Sequence, residues 1–177
     1  MKILVPFAEG FEETEAVTIV DVLRRAGIGV DTVGIPGTSV IGGHSIRVNT
    51  DKRLAEINVD DYDGIVLPGG NRGTENLVRT AQVIEMIKKF NSKGKLVGAI
   101  CAAPLVLVKA GILENKKATI HPGMERELPH PRSDPVVVDG NVVTSQGVGT
   151  ALDFSLKLVE ILVGKGKVFE IRSGLVV

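Results

Sequence analysis

Short runs of aliphatic and β-branched residues alternate along the chain with longer segments of helical periodicity. The apolar runs are Ile3–Pro6, Gly29–Val33, Gly64–Leu67 and Leu96–Ile100. Four helical segments are predicted: the first ends near Ala26, the second covers Val83–Phe90, the third follows Cys101, and the fourth extends from about Gly149 to Val163. Continuous apolar strands separated by helices are typical of a parallel sheet that is covered on both faces. The pattern therefore predicts an α/β fold with three layers.

A different pattern follows Asp134. Two valine-rich runs, Val136–Val138 and Val142–Thr144, flank Asp139-Gly140-Asn141, which is suited to a tight turn. This predicts a small antiparallel β-hairpin added to the sheet. Because no linker, low-complexity tract or repeat interrupts the sequence, we expect one domain over residues 1–177.

Composition narrows the possible functions. The 21 Lys and Arg residues balance 21 Asp and Glu residues, and the chain has no Trp, so nucleic acid is not an expected partner. The apolar run Leu96–Val108 is too short and too interrupted to span a membrane, and the N-terminus does not have the pattern of a secretory signal. One cysteine cannot form an intramolecular disulfide. These features predict a cytoplasmic protein.

Cys101 lies where the run Leu96–Ile100 ends and the next helix begins. Its neighbours in Ala99-Ile100-Cys101-Ala102-Ala103 give the small-x-nucleophile-x-small pattern of a nucleophile elbow. A thiol at a helix N-terminus faces free N–H groups and the positive end of the helix dipole, so we expect its pKa to be lowered. The alternative is an inert, buried cysteine, which is the commoner role of a single cysteine.

Glu15 is four residues before Ile19 and therefore falls on the apolar face of the first helix. A carboxyl group there tends to keep its proton, because burial disfavours the charged form, and it can act as an acid or base near neutral pH. The alternative is a first-turn acid that points into solvent. Glu12 and Glu13 are interpreted as acids that complement the helix dipole.

Other candidate residues lie beyond neighbouring strands. Gly69-Gly70 follows a predicted strand, and its backbone can approach a ligand and present N–H groups to an oxyanion, although a simple tight turn is equally consistent. His121 is a possible base near Cys101 or an ordinary loop histidine. Gly147-Val148-Gly149 lacks a third glycine at the position expected for a dinucleotide loop, so no cofactor is predicted. The three histidines lack metal-type spacing, so no metal is predicted either.

Taken together, four motifs resemble the ThiJ/PfpI superfamily of the class I glutamine-amidotransferase-like fold, in the branch that holds the human parkinsonism-associated protein and its bacterial YajL-type relatives. They are Gly10–Ala16, Val66–Asn71, Ala99–Pro104 and Thr144–Thr150. The resemblance implies a flavodoxin-like fold, usually a homodimer, with Cys101 as the nucleophile and Glu15 hydrogen-bonded to its sulfur. It also implies oxyanion-binding N–H groups at Gly70 and Ala102, with His121 near the cysteine.

Several residues depart from the family pattern. Protease-like members have a histidine directly after the cysteine, where this chain has Ala102, so peptidase activity is not expected. Gln146 and Val148 replace a basic residue and a proline of the human member, which predicts weaker anion binding at that loop. Asp21 matches an acid that pairs across the dimer with an arginine, but His44 stands at the arginine position, so this contact is expected to be pH-sensitive.

The leading hypothesis is a cofactor-independent, cysteine-dependent enzyme that acts on small reactive carbonyls. It would hydrate methylglyoxal or glyoxal as a glyoxalase III does, or release early glycation adducts as a deglycase does. Two alternatives remain at this stage. One is a redox-responsive protective protein or chaperone with an oxidisable Cys101, and the other is a cysteine hydrolase or amidase of unknown substrate.

Overall fold

The computed structural model describes residues 1–177 and contains nine strands and six helices. The strands are β1 (Lys2–Ala8), β2 (Gly29–Ile35), β3 (Ser39–Ile41), β4 (Arg47–Asn49), β5 (Lys52–Arg53), β6 (Gly64–Leu67), β7 (Leu96–Ile100), β8 (Val136–Asp139) and β9 (Val142–Ser145). The helices are α1 (Glu13–Arg25), α2 (Asn71–Arg79), α3 (Ala81–Ser92), α4 (Pro104–Lys109), α5 (Ala151–Val163) and α6 (Lys165–Leu175).

Seven strands form the main sheet in the order β5-β2-β1-β6-β7-β9-β8. All neighbouring pairs are parallel except β8 and β9, in which Val136 lies opposite Ser145. The predicted hairpin is therefore present, and its second strand also pairs with β7, so it completes one side of the sheet. A separate antiparallel pair, β3 and β4, was not predicted from the sequence.

Side chains of β1 alternate between two apolar cores, one on each face of the sheet. Leu4 packs into the core that is covered by α2, α3 and α4, whereas Ile3 and Val5 pack into the core covered by α1, α5 and α6. Helices on both faces confirm the predicted three-layer α/β arrangement with a mostly parallel sheet. No helix has the length and apolar character that a bilayer span requires.

Local signals explain where α1 begins and ends. The Glu12 side chain accepts a hydrogen bond from Thr14 N at 3.4 Å, and two arginines occupy the last turn, where cations complement the helix dipole. Gly27 follows with φ +77°, a conformation that favours glycine. The predicted helix end near Ala26 is confirmed.

Two helices were not predicted. α2 begins directly after the Gly69-Gly70 pair and contains Gly73, so its sequence looks like the continuation of a loop. α6 contains Gly166 and Gly174 and buries only Ile171, which leaves almost no periodic apolar stripe to detect.

Candidate active site

The carboxyl ends of three adjacent strands bring the sequence motifs together. β1, β6 and β7 are neighbours in the sheet, so the segments that follow Ala8, Leu67 and Ile100 leave the same edge. Ligands bind at this edge in open α/β sheets. A cavity of about 860 Å³ opens there, and its lining includes Glu15, Gly70, Cys101 and His121.

Cys101 occupies a sharp turn between β7 and α4. Its φ is +62°, which is uncommon for a residue with a side chain and costs about 1–3 kcal/mol. Two backbone hydrogen bonds hold this conformation, because Cys101 N donates to Ser145 O at 3.0 Å and His121 N donates to Cys101 O at 2.9 Å. The turn leaves the thiol half-buried at the cavity, as in a nucleophile elbow.

Glu15 lies on the inner face of α1 and is fully buried. Its Oε2 accepts a hydrogen bond from Gly69 N at 2.8 Å. The other oxygen, Oε1, is buried without a hydrogen-bond partner. A buried polar atom without a partner is costly, so this oxygen is available to a proton or a ligand group in the cavity.

The space that Gly147 leaves open marks where Oε1 points. A methyl group at Gly147 would lie 3.9 Å from Glu15 Oε1, 4.0 Å from Cys101 Sγ and 3.7 Å from His121 Cδ2. The side chains of Glu15, Cys101 and His121 thus surround a space that is large enough for one carbon atom. A small ligand placed there contacts the thiol and the carboxyl group at the same time.

The electrostatics of Glu15 and Cys101 are coupled. Burial raises the pKa of Glu15 to about 7, although the hydrogen bond from Gly69 N and the interaction with the Cys101 side chain oppose the rise. Burial and the negative charge of Glu15 raise the pKa of the Cys101 thiol to about 11, although the N–H groups of Gly70 and Ala102 lower it. The expectation of a lowered thiol pKa is wrong in net direction, because desolvation and the nearby carboxylate outweigh the N–H groups.

The same pair of groups explains how the thiol can still react. Glu15 contributes to the raised thiol pKa by its charge, and that contribution disappears when the carboxyl group takes up a proton. A pKa of about 7 places Glu15 between its acid and base forms near neutral pH. Proton transfer from the thiol to Glu15 therefore removes the repulsion that otherwise opposes the thiolate.

The diglycine segment fits closely between β7 and α1. A methyl group at Gly69 would lie 2.5 Å from Cys101 Cβ and 2.7 Å from Glu15 Oε2. Gly70 has φ +91°, and a methyl group there would lie 2.4 Å from Gly10 O. Only glycine allows this loop to bring its N–H groups so near the sulfur.

His121 lines the cavity but makes no hydrogen bond with the sulfur. Its side chain is exposed, and its Nδ1 lies 3.0 Å from Pro122 O. The structure ties His121 to Cys101 through the backbone bond described above. A side-chain role for His121 stays a prediction.

Glu13 has a different role from the one expected from its sequence position. The interpretation that it only complements the helix dipole is wrong, because its side chain is buried and accepts hydrogen bonds from His44 N at 2.7 Å and from Ile46 N at 3.4 Å. His44 Nδ1 lies 2.9 Å from Glu13 Oε2 and 3.5 Å from Glu12 Oε2. Glu13 thereby fixes the loop that places Gly43 and His44 at the cavity.

The charges of this contact reinforce each other. The hydrogen bond to Glu13 and the charge of Glu12 raise the pKa of His44. Burial opposes the ionisation of Glu13, but the hydrogen bonds from His44 and Ile46 hold its pKa below the usual value. One group of side chains lies close enough together to hold a cation, and it consists of Glu12, Glu13 and His44. In the structure, His44 occupies this position as the ion-pair partner of Glu13.

The remaining family positions lie as follows. Gln146 lines the cavity, and its Nε2 donates to Ser133 O at 3.0 Å, while Val148 is exposed beside it. Asp21 accepts a hydrogen bond from Arg25 Nε of the same helix at 2.6 Å. The expected contact of Asp21 and His44 across a dimer stays a prediction.

Sequence reasoning missed Arg72 and gave Asn71 only as the last residue of a family motif, although both residues begin α2 and line the cavity beside Gly70. A signal was present, because polar residues directly after Gly69-Gly70 follow a buried strand. Without the prediction of α2, however, these residues could not be assigned to a helix N-terminus.

Comparisons with known proteins identify relatives over the full fold. The DJ-1/PfpI family model matches residues 1–161. Protein dj-1beta of Drosophila melanogaster is 41% identical over 98% of this chain and 96% of its own length. The Parkinson disease protein 7 homolog of Danio rerio is 36% identical over 98% of this chain and 95% of its own length.

Solved structures give the same result. The crystal structure of Drosophila melanogaster DJ-1beta matches with a TM-score of 0.96 at 40% identity, over 99% of this chain and 97% of the other. Oxidised Toxoplasma gondii DJ-1 matches with a TM-score of 0.96 at 36% identity, over 99% and 97% of the two chains. The predicted flavodoxin-like fold is confirmed, and the chain belongs to the DJ-1/PfpI family.

Proposed function

We propose that the protein is a cofactor-independent enzyme that converts small α-oxoaldehydes, such as methylglyoxal, to hydroxy acids through a covalent bond to Cys101. The observation that carries this proposal is the buried Glu15 Oε1, which has no partner and faces the same small volume as Cys101 Sγ. A general protective role is consistent with membership of the DJ-1/PfpI family.

The first step forms a bond between sulfur and the aldehyde carbon. Glu15 as carboxylate takes the thiol proton while Sγ attacks, and the carbonyl π electrons move to oxygen. The N–H groups of Gly70 and Ala102, which face the sulfur, stabilise the oxyanion. Glu15 then returns the proton to this oxygen, and a neutral hemithioacetal results.

The second step is an internal oxidation and reduction. Glu15 removes the proton from the former aldehyde carbon, and the proton is returned to the adjacent ketone carbon through an enediol. The aldehyde carbon is thereby oxidised to a thioester and the ketone carbon is reduced to an alcohol, so no external redox partner is needed. Water hydrolyses the thioester, which restores the thiol and releases lactate from methylglyoxal. In an early glycation adduct, Sγ displaces the amine or thiol from the former aldehyde carbon, the leaving group takes the thiol proton from Glu15, and the resulting hemithioacetal follows the same second step.

The test measures methylglyoxal consumption together with chiral analysis of lactate. Cys101→Ser should lower kcat/KM by about 10³-fold, because the nucleophile is lost. Glu15→Gln should cause a comparable loss, because a carboxamide cannot take up and return the proton. Glu75→Gln is the matched control: it makes the same substitution at an exposed position of α2 and should retain full activity. Undiminished turnover by Cys101→Ser would refute the proposal.

A second candidate function is redox response, which one observation favours. The relative from Toxoplasma gondii was solved in an oxidised form, and the unpartnered Glu15 Oε1 could donate a proton to a sulfinate oxygen on Cys101. Peroxide titration followed by intact-mass measurement tests this function. The redox function would be supported if wild type rapidly gained two oxygen atoms, while Glu15→Gln either gained them more slowly or was oxidised beyond the sulfinate. Resistance of Cys101 to peroxide, together with rapid methylglyoxal turnover, would exclude it.

We also propose that the chain forms a homodimer, since proteins of this family are commonly homodimers. We further propose that it acts in the cytoplasm. Sedimentation equilibrium of the full chain determines the oligomeric state. The interface contact expected from the family resemblance joins Asp21 and His44. Dissociation of the dimer should therefore increase as rising pH removes the proton from His44. A monomer at all pH values would contradict this proposal.

A further inference from the structure

We propose that Arg72 forms an anion subsite of the cavity, so that the preferred substrates are α-oxoaldehydes that also carry a carboxylate or phosphate group. This inference rests on the proposed function for its substrate class. The subsite itself is argued from the contacts of Arg72 and from the charges around it.

The Arg72 side chain is held at the cavity by its stem. A methyl group at Gly10 would lie 2.6 Å from Arg72 Cβ, 2.9 Å from Cγ and 3.1 Å from Cδ, so the aliphatic stem crosses the space that Gly10 leaves free. Both residues line the cavity. The stem is thus packed against the β1–α1 connection while the residue remains exposed.

The guanidinium of Arg72 has no partner within the chain. Some arginines of the chain form ion pairs, as Arg24 does with Asp51 at 2.8 Å and Arg172 does with Asp153 at 3.2 Å, whereas others, such as Arg79, do not. Arg72 takes part in none of the ion pairs or side-chain hydrogen bonds. Five donors in a planar fork remain available to an anion.

The first turn of α2 adds free backbone donors at the base of the Arg72 side chain. Within the first turn of α2, Gly73 N donates to Gly10 O at 3.1 Å and Thr74 N donates to Gly70 O at 2.8 Å, while the N–H groups of Asn71 and Arg72 have no acceptor. Arg72 is two residues beyond Gly70, an axial rise of about 3 Å along a helix. An anion held by Arg72 would therefore lie in the same cavity as a carbonyl carbon attached to Cys101.

The other charged groups of the cavity do not compete for Arg72. Glu12 accepts a hydrogen bond from Thr14 N and faces His44, and Glu15 is buried at the base of the cavity. His44 is paired with Glu13, and His121 is an exposed residue of the lining. Arg72 is the one Lys or Arg residue in the lining, and an unpartnered buried oxygen, Glu15 Oε1, shows that the same cavity is built to receive a ligand.

The first experiment compares two substrates that differ by an anionic group. Methylglyoxal is neutral, whereas γ,δ-dioxovalerate is an α-oxoaldehyde with a carboxylate and would give 2-hydroxyglutarate by the same chemistry. Arg72→Leu should lower kcat/KM for γ,δ-dioxovalerate by about 10- to 100-fold and change kcat/KM for methylglyoxal by less than about twofold. Arg72→Lys should restore part of the loss. Equal effects on both substrates, or no effect on either, would overturn the proposal.

The second experiment does not need catalytic turnover. Cys101 is the only thiol of the chain, and its alkylation by iodoacetate and by iodoacetamide differs in the charge of the reagent. The ratio of the two rates cancels any change in thiol pKa. Arg72→Leu should lower the iodoacetate-to-iodoacetamide ratio by about fivefold or more, whereas Arg79→Leu, which makes the same charge change at the far end of α2, should leave it unchanged.

The two experiments separate the two possible failures. If wild type consumes neither oxoaldehyde but the alkylation ratio falls only in Arg72→Leu, the proposed function fails and the anion subsite stands. If the ratio is unaffected, or falls equally in Arg79→Leu, the anion subsite is refuted whatever the enzyme turns over.

Discussion

Glu15→Gln provides a direct measurement of the charge that the fold buries beside Cys101. Gln has nearly the same shape as Glu, and its side-chain oxygen can still accept the hydrogen bond from Gly69 N. The substitution therefore removes the ionisable proton and leaves the packing of α1 nearly unchanged. Any difference in pH dependence between the two proteins reports the ionisation of this carboxyl group together with its coupling to the Cys101 thiol.

The sign of the effect follows from the pKa. The folded protein holds the Glu15 proton up to a pKa of about 7, whereas the unfolded chain releases it near the ordinary glutamate pKa of 4.5. Between these values the unfolded state binds fewer protons, so the free energy of unfolding falls as pH rises. A rise from 4.5 to about 7 corresponds to about 3 kcal/mol, since each tenfold change in proton affinity is worth about 1.4 kcal/mol.

The assay is urea unfolding of wild type and Glu15→Gln at about pH 5 and about pH 8, with the free energy obtained from midpoint and slope. Wild type should lose about 2–3 kcal/mol more than Glu15→Gln over this interval. Glu75→Gln, which removes an exposed carboxyl group, should show the same pH dependence as wild type. If the free energy of unfolding depended on pH in the same way for wild type and Glu15→Gln, the reasoning would be refuted, because burial would then not raise the pKa of Glu15.

Two glycine substitutions test the packing of the site. Gly69→Ala should lower the free energy of unfolding by about 1–3 kcal/mol, since its methyl group would lie 2.5 Å from Cys101 Cβ and cannot be accommodated without displacement; a urea midpoint equal to that of wild type would contradict this. Gly147→Ala should leave the urea midpoint within about 0.5 kcal/mol of wild type, because its contacts are 3.7 Å or longer. It should nevertheless slow methylglyoxal turnover by about tenfold or more, since the methyl group occupies the volume next to the thiol; unchanged kcat/KM would place the reacting carbon elsewhere.

The sequence by itself determined six of the nine strands, four of the six helices and the elbow. Apolar runs and helical periodicity are local signals, and the predicted runs Gly64–Leu67 and Leu96–Ile100 coincide with β6 and β7. The small residues on both sides of Cys101 predicted the sharp turn that the structure shows as φ +62°. The four-residue step from Ile19 placed Glu15 on the inner face of α1, because helix geometry fixes that relation.

Only the tertiary structure decided the chemistry of these residues. The direction of the Cys101 pKa depends on desolvation and on a carboxyl group contributed by another element, and neither can be read from neighbouring residues. Glu13 meets His44 across 31 positions of sequence, so its role as a loop anchor has no local signal. The Arg72 guanidinium is unpaired because the fold places no acidic side chain within ion-pair distance of it, and the sequence does not show this. Burial and long-range partners set ionisation and availability, and these properties exist only once the chain has folded.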